Sequence, residues 1–160
     1  MARRQYEFHV KTLITRGEER VLEEIRYTAN TFKGSKGISC LTRLVKLGGP
    51  AFEQVISSYD SKSQTVDTEL LGAALTSLLA EIESGKVVNL INDLLESVEG
   101  WYDDKRHSAD LDNYFSDNYG ALIGVLIKVV MENYGSFIQG GGSGLLGLLP
   151  TGLLPKSAEE

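Results

Sequence analysis

Between Leu71 and Val98 apolar side chains recur every three to four residues, in two runs that only Ser84-Gly85 interrupts. Leu71, Ala74, Leu75, Leu78, Leu79 and Ile82 make one broad helical face; Val87, Val88, Leu90, Ile91, Leu94, Leu95 and Val98 make another. Amphipathic helices joined by so short a link are predicted to fold back as an αα-hairpin. The rest of the chain must then supply the surface that buries their stripes. With 160 residues, 42% of them hydrophobic, the chain has enough apolar volume for one such core and reads as one domain.

The segments before this hairpin follow two different periods. Tyr6, Phe8 and Val10 alternate with Glu7, His9 and Lys11, as in a half-buried strand. Arg16-Gly17-Glu18-Glu19 reads as a turn, after which Val21, Ile25, Tyr27 and Ala29 resume the alternation with Glu23 out of step. A β-hairpin over about 6–31 is expected. A short helix over 18–27 is its rival, and the β-branched and aromatic content decides for strands. Past Gly34-Ser35-Lys36-Gly37, the residues Ile38, Leu41, Leu44, Val45 and Leu47 fall at helical spacing. Ser35 is the expected N-cap, Gly48 the expected left-handed stop, and Pro50 opens a short further helix to Ser57. A polar loop covers Ser58–Thr68, and Asp67 or Thr68 caps the helix that follows.

The stretch from Gly100 to Asp112 reads as a polar connector, and a last long helix runs from about Asp110 or Ser116 to Ile138. Gly120, Gly124 and Gly135 weaken that helix by up to ~1 kcal/mol each relative to alanine, and suggest sites where another helix approaches closely. The fold class expected is therefore α+β but mainly α: an N-terminal β-hairpin, then a compact bundle of about four to five helices. This domain would span 1–139, with its helical part over about 35–138. A flexible Gly/Leu-rich tail, 140–160, follows it: a Gly/Ser hinge leads into three Gly-Leu-Leu units.

Several function classes find no support. A net charge of −6 with scattered Lys and Arg argues against nucleic acid as a partner. The apolar run Ala121–Met131 is broken by Lys128 and falls short of the roughly 20 residues of a membrane span, and no apolar leader opens the chain. The lone Cys40, in an apolar segment, reads as a small buried hydrophobe in a reducing compartment. Asp103, Asp104, Asp110, Asp112 and Asp117 cluster around His107 but lack the ligand order of a calcium loop. Helix capping and a solvated loop explain them better than a metal. Gly34-Ser35-Lys36-Gly37 lacks full phosphate-loop spacing, and no nucleophile elbow or Cys–His arrangement can be identified. No catalytic, cofactor or metal-binding residue is expected.

Candidate partner-binding residues fall in two places. Trp101 and Tyr102 stand among charges and read either as a cap on the core, the preferred reading, or as an aromatic anchor for a partner. Leu145, Leu146, Leu148, Leu149, Leu153 and Leu154 of the tail either fold back on the body or form a sticky segment.

The order of motifs resembles one family. The run from Lys36-Gly37-Ile38-Ser39-Cys40-Leu41-Thr42-Arg43-Leu44 through Gly49-Pro50-Ala51-Phe52 looks like the segment that opens the helical part of phage tail assembly chaperones. Leu90–Val98 is similar to their third helical block. Asp112-Asn113-Tyr114-Phe115, followed by Tyr119-Gly120-Ala121-Leu122, resembles the entry to their last helix, and Asn133-Tyr134-Gly135-Ser136-Phe137 its aromatic end. The likeness covers about 32–140 and rests on order and spacing, since each motif is mostly leucine. It is silent on the tail, and the hairpin is longer than the family leads one to expect. It implies a non-catalytic protein of the host cell cytoplasm that binds and solubilises the tape measure protein during tail morphogenesis. Self-association and the tail tube protein are further candidate partners, and a frameshifted longer form is common in the family. The alternative is a structural tail or baseplate component incorporated in the virion.

Overall fold

The computed structural model describes residues 4–57 and 67–139. Its elements are β1 (Gln5–Arg16), β2 (Glu19–Asn30), α1 (Gly34–Ser57), α2 (Thr68–Leu79), α3 (Gly85–Leu94), β3 (Glu99–Tyr102), β4 (Lys105–Ser108) and α4 (Tyr119–Gln139). The strands form one antiparallel sheet in the order β1-β2-β3-β4. One face of that sheet and the apolar stripes of the helices share a single core.

The expected N-terminal hairpin is present and regular. It pairs without a bulge from Gln5↔Asn30 to Arg16↔Glu19. Gly17 opens its tight turn at a φ of 66°, which glycine adopts without strain. Alternation buries Tyr6, Phe8, Ile14, Ile25, Tyr27 and Ala29.

The expectation of a mainly α molecule with a bundle of up to five helices is overturned. The described chain is about half helical and a quarter strand, with four helices and four strands. The error lies in the supposed connector. Residues 99–108 form a second hairpin, whose turn places Asp103 and Asp104 at φ of 54° and 57°. β3 docks on β2 through Arg26↔Trp101, Tyr27↔Gly100 and Thr28↔Glu99. Strands of four residues carry too little alternation to announce themselves, and their partner lies some seventy residues away in sequence.

The helices differ in smaller ways. α2 and α3 are consecutive but do not make the expected close αα-hairpin; α1 is the neighbour that packs on both. α1 begins at Gly34, before the proposed cap Ser35. Its break comes at Gly49 (φ 54°), one residue past the expected stop, and Pro50 lies just beyond. Asp67 caps α2 as expected, accepting from the backbone N–H groups of Glu69 and Leu70 at 3.0 and 3.1 Å. α4 begins only at Tyr119, after a stretch of turns. Gly124 does permit a close approach, but of a strand: a side-chain carbon there would stand 2.8 Å from Val10 Cγ1. Cys40 is fully buried, and desolvation pushes its thiol pKa up, so it stays protonated.

The sheet and the turn segment that precedes α4 are joined through Tyr27. Its fully buried ring stacks on Phe8, and its hydroxyl lies 2.7 Å from Thr12 Oγ1 and 2.9 Å from Tyr114 Oη. Gly100 leaves the room this requires: a side-chain carbon there would be 2.5 Å from Tyr114 Oη and 3.2 Å from Tyr27 Cε1. Replacing Gly100 by alanine should therefore destabilise the protein by about 1–3 kcal/mol. Leu94→Ala, at a fully buried helical position, should cost about 2–5 kcal/mol. Urea denaturation of both variants checks this; an unchanged midpoint for Gly100→Ala would contradict the packing described.

Candidate functional site

The sheet's outer face is largely charged, because alternation puts Glu7, His9 and Lys11 of β1, with Glu24 and Arg26 of β2, opposite the buried set. Leu13 and Leu22 are exceptions. Both are out of step with the inward residues and stand directly across from each other in the register. Leu22 is 58% exposed and, at the start of α4, Tyr119 is 67% exposed. Leu13, Leu22, Tyr119, Ala121 and Lys11 line a cleft of about 270 Å³.

Backbone geometry holds this patch in place. Leu13 N donates to Asn118 Oδ1 at 3.1 Å, and Asn118 Nδ2 donates to Leu13 O at 3.3 Å. One side-chain amide thus makes the pair of bonds a neighbouring strand would make, and ties the start of α4 to β1. Arg20 and Asp117 add an ion pair at 3.2 Å beside it.

Trp101 and Tyr102 sit on the same sheet but serve different faces, as neighbours in a strand must. Trp101 Nε1 donates to Thr28 Oγ1 at 2.7 Å, and the Arg26 guanidinium lies 4.9 Å from the ring centroid. The indole thereby accounts for the burial of Thr28 on an otherwise solvated face. Arg26 in turn holds Glu7 at 3.2 Å. Tyr102 stacks on His107, with centroids 3.9 Å apart and planes at 6°. Both candidates are half-buried, with their ring surfaces partly occupied by this chain's own residues. A shallow cavity of about 450 Å³ still opens between them, lined also by Arg26, Asp103 and Asp104. Arg16 bridges the two hairpins, bonding Glu23 at 2.7 and 3.0 Å and also reaching Asp103.

The other proposed partner residues, Leu145, Leu146, Leu148, Leu149, Leu153 and Leu154, lie outside the described residues. The aspartate cluster is dispersed into separate tasks. Asp103 and Asp104 form a turn, Asp110 accepts from Tyr114 N at 3.0 Å and Asn113 Nδ2 at 2.7 Å, and Asp117 pairs with Arg20. Among the described residues no three potential metal ligands converge, and no helix is long and apolar enough to cross a membrane. Sequence reasoning missed Leu13, Leu22 and Tyr119. The signal was available in Leu13-Ile14 and Val21-Leu22, where consecutive apolar residues in a strand must face opposite sides.

A family model described as phage tail assembly chaperone protein, TAC, matches residues 23–146. No curated protein and no solved structure matches the chain.

The Arg16–Glu23 pair, which holds Arg16 in the clasp between the hairpins, carries a pH dependence. Hydrogen bonds from Arg16 hold the Glu23 carboxyl below the usual carboxylate range. Its folded-state pKa is thus lower than its unfolded one. The pair's stabilisation is present above the unfolded value and is lost as pH falls through the folded value. Glu23→Gln should be less stable than the parent at neutral pH, and the difference should vanish in acid. Thermal midpoints measured from pH 7 to pH 2 check this, and a constant difference would contradict it.

Proposed function

We propose that this chain, which belongs to the phage tail assembly chaperone family, binds the tape measure protein and keeps it soluble while the tail is assembled. The observation that carries this reading is the apolar patch of Leu13, Leu22 and Tyr119 on a charged sheet face. A long helical partner has an apolar stripe that must stay covered until its final neighbours arrive. An amphipathic helix can lay such a stripe on Leu22 and Tyr119, while Lys11, Arg20 and Asp117 around the patch meet its polar flanks. So small a surface gives modest affinity, which suits a holder that must release its client when tube protein polymerises. The leucines of 145–154 would offer a second holding segment, reached over the glycine-rich stretch before them.

In this reading the protein performs no catalysis and works in the host cytoplasm. It shields apolar surface and needs no reactive group for the task.

Co-expression with tape measure fragments tests the proposal. The fragments alone should aggregate, and the chain should move them into the soluble fraction as a complex seen by gel filtration. The double variant Leu22→Asp/Tyr119→Ser should fold normally but lose most of this effect, since surface changes of this kind alter stability by only about 0.5 kcal/mol. Mass spectrometry of purified virions should find the chain scarce. Fragments that stay insoluble beside the folded parent chain would overturn the reading, and stoichiometric incorporation in virions would favour a structural tail component.

A further inference from the structure

α1 and α3 pack on each other and leave between them a hollow of about 330 Å³. Among the described residues it is lined by Arg43, Lys46 and Leu47 of α1 and by Lys86 and Asn89 of α3. Three of these five side chains are cationic and none is acidic, on a chain whose net charge is −6. Lys46 and Lys86 are exposed, and neither has an ion pair among the described residues. Lys86 also stands in the first turn of α3, where a cation opposes the helix dipole and no acidic side chain offsets it.

Arg43 is held in place by the chain's own groups. Its Nη2 donates to Asp93 Oδ2 at 2.7 Å and to Cys40 Sγ at 3.5 Å, and its Nε donates to Ser39 O at 3.3 Å. These bonds leave the N–H groups of Nη1 without a partner among the described residues.

We infer that this hollow docks an acidic segment of a partner protein, whose carboxylates meet Arg43, Lys46 and Lys86 while a methylene stem rests on Leu47. Arg43 and Lys46 stand one helical turn apart on α1, and Lys86 comes from the second helix. Positive charge is thus spread over two walls, which suits several carboxylates on one segment better than a single compact anion. Half-buried Leu47 adds apolar surface that the stem of a glutamate can use and a free inorganic anion cannot. Asn89 can donate to a carboxylate or to the partner's main-chain carbonyl. The chain's overall charge repels an acidic partner, so a local basic hollow fixes where such a partner lands. The hollow shares no lining residue with the cleft of Leu13, Leu22 and Tyr119, and docking here is independent of the tape measure reading.

Isothermal titration calorimetry on the full chain tests the proposal, with a blocked peptide of repeated Glu-Leu-Ala-Glu units as the probe. The parent should bind this peptide saturably, and less tightly as salt rises. Lys46→Glu/Lys86→Glu should raise the dissociation constant at least tenfold, and Lys46→Gln/Lys86→Gln should raise it less. Lys105→Glu/Lys128→Glu makes the same change in net charge at exposed positions outside the hollow and should leave it within about twofold. Leu22→Asp/Tyr119→Ser should bind the probe as the parent does. Circular dichroism confirms that each variant is folded. A parent that fails to bind the peptide would overturn the proposal, as would equal binding by both Lys46/Lys86 variants. Equal losses in the Lys105/Lys128 control would also overturn it, since net charge alone would then account for binding. Displacement of the peptide by inorganic phosphate at constant ionic strength would overturn it in favour of a small-anion site.

Discussion

Tyr27 is the point on which the arrangement of layers depends. Its ring is fully buried, so its hydroxyl must find partners inside the protein or leave a polar group desolvated at a cost of about 1–3 kcal/mol. Thr12 on β1 and Tyr114 on the segment before α4 provide them. Both partners must stand at fixed places, and Gly100 must lie against both Tyr27 and Tyr114 with no side chain at all. That requirement seats β3 on β2 and thereby brings the whole second hairpin into the sheet. Burial pushes the hydroxyl of Tyr27 above its ordinary value and that of Tyr114 well above it, so both remain neutral, and the network is structural.

α4 is bound to this centre at both ends by asparagine. Asn118 completes the edge of β1 at Leu13. Asn133 accepts from Phe32 N at 2.9 Å and donates to Tyr6 Oη at 3.3 Å, beside the other end of the hairpin. Tyr134 Oη then donates to Gly37 O at 2.8 Å, which ties the start of α1 to the same helix. Gly124, in the middle, lets α4 lie against Val10. Leu13, Leu22 and Tyr119 come from three different elements, and the bonds from Asn118 hold the start of α4 beside β1.

Many of the polar groups on the described residues are engaged in holding the fold together. Asp103 and Asp104 form a turn, Asp67 caps α2 and Asp117 is ion-paired, the thiol is buried, and the hydroxyls of Tyr27, Tyr114 and Tyr134 are hydrogen-bonded. Among the described residues, Leu13, Leu22 and Tyr119 form an apolar patch framed by charge. The chain's family is that of the phage tail assembly chaperones.

Local periodicity made much of this legible. Alternation at Tyr6, Phe8 and Val10 announced β1, and the three-to-four spacing at Leu71–Leu79 and Leu90–Leu94 announced α2 and α3, because each pattern is written within a few consecutive residues. Asp67 was readable as a cap for the same reason. The family, too, could be read from the order of the leucine-rich motifs. The second hairpin could not. Glu99–Ser108 is polar and short, and only a docking partner on β2 makes it a strand pair. Nor could the pairing of helices be read, since an apolar stripe records that a face is buried but not against what: α2 and α3 both chose α1. Trp101 and Tyr102 illustrate the limit at single residues. Sequence marks them as large and amphipathic, but Thr28, Arg26 and His107, which occupy much of their surface, arrive from distant segments and from the opposite strand. The chain itself determined which residues seek burial; long-range pairing around Tyr27 decided which neighbours they found, because that choice depends on contacts between residues far apart in the chain.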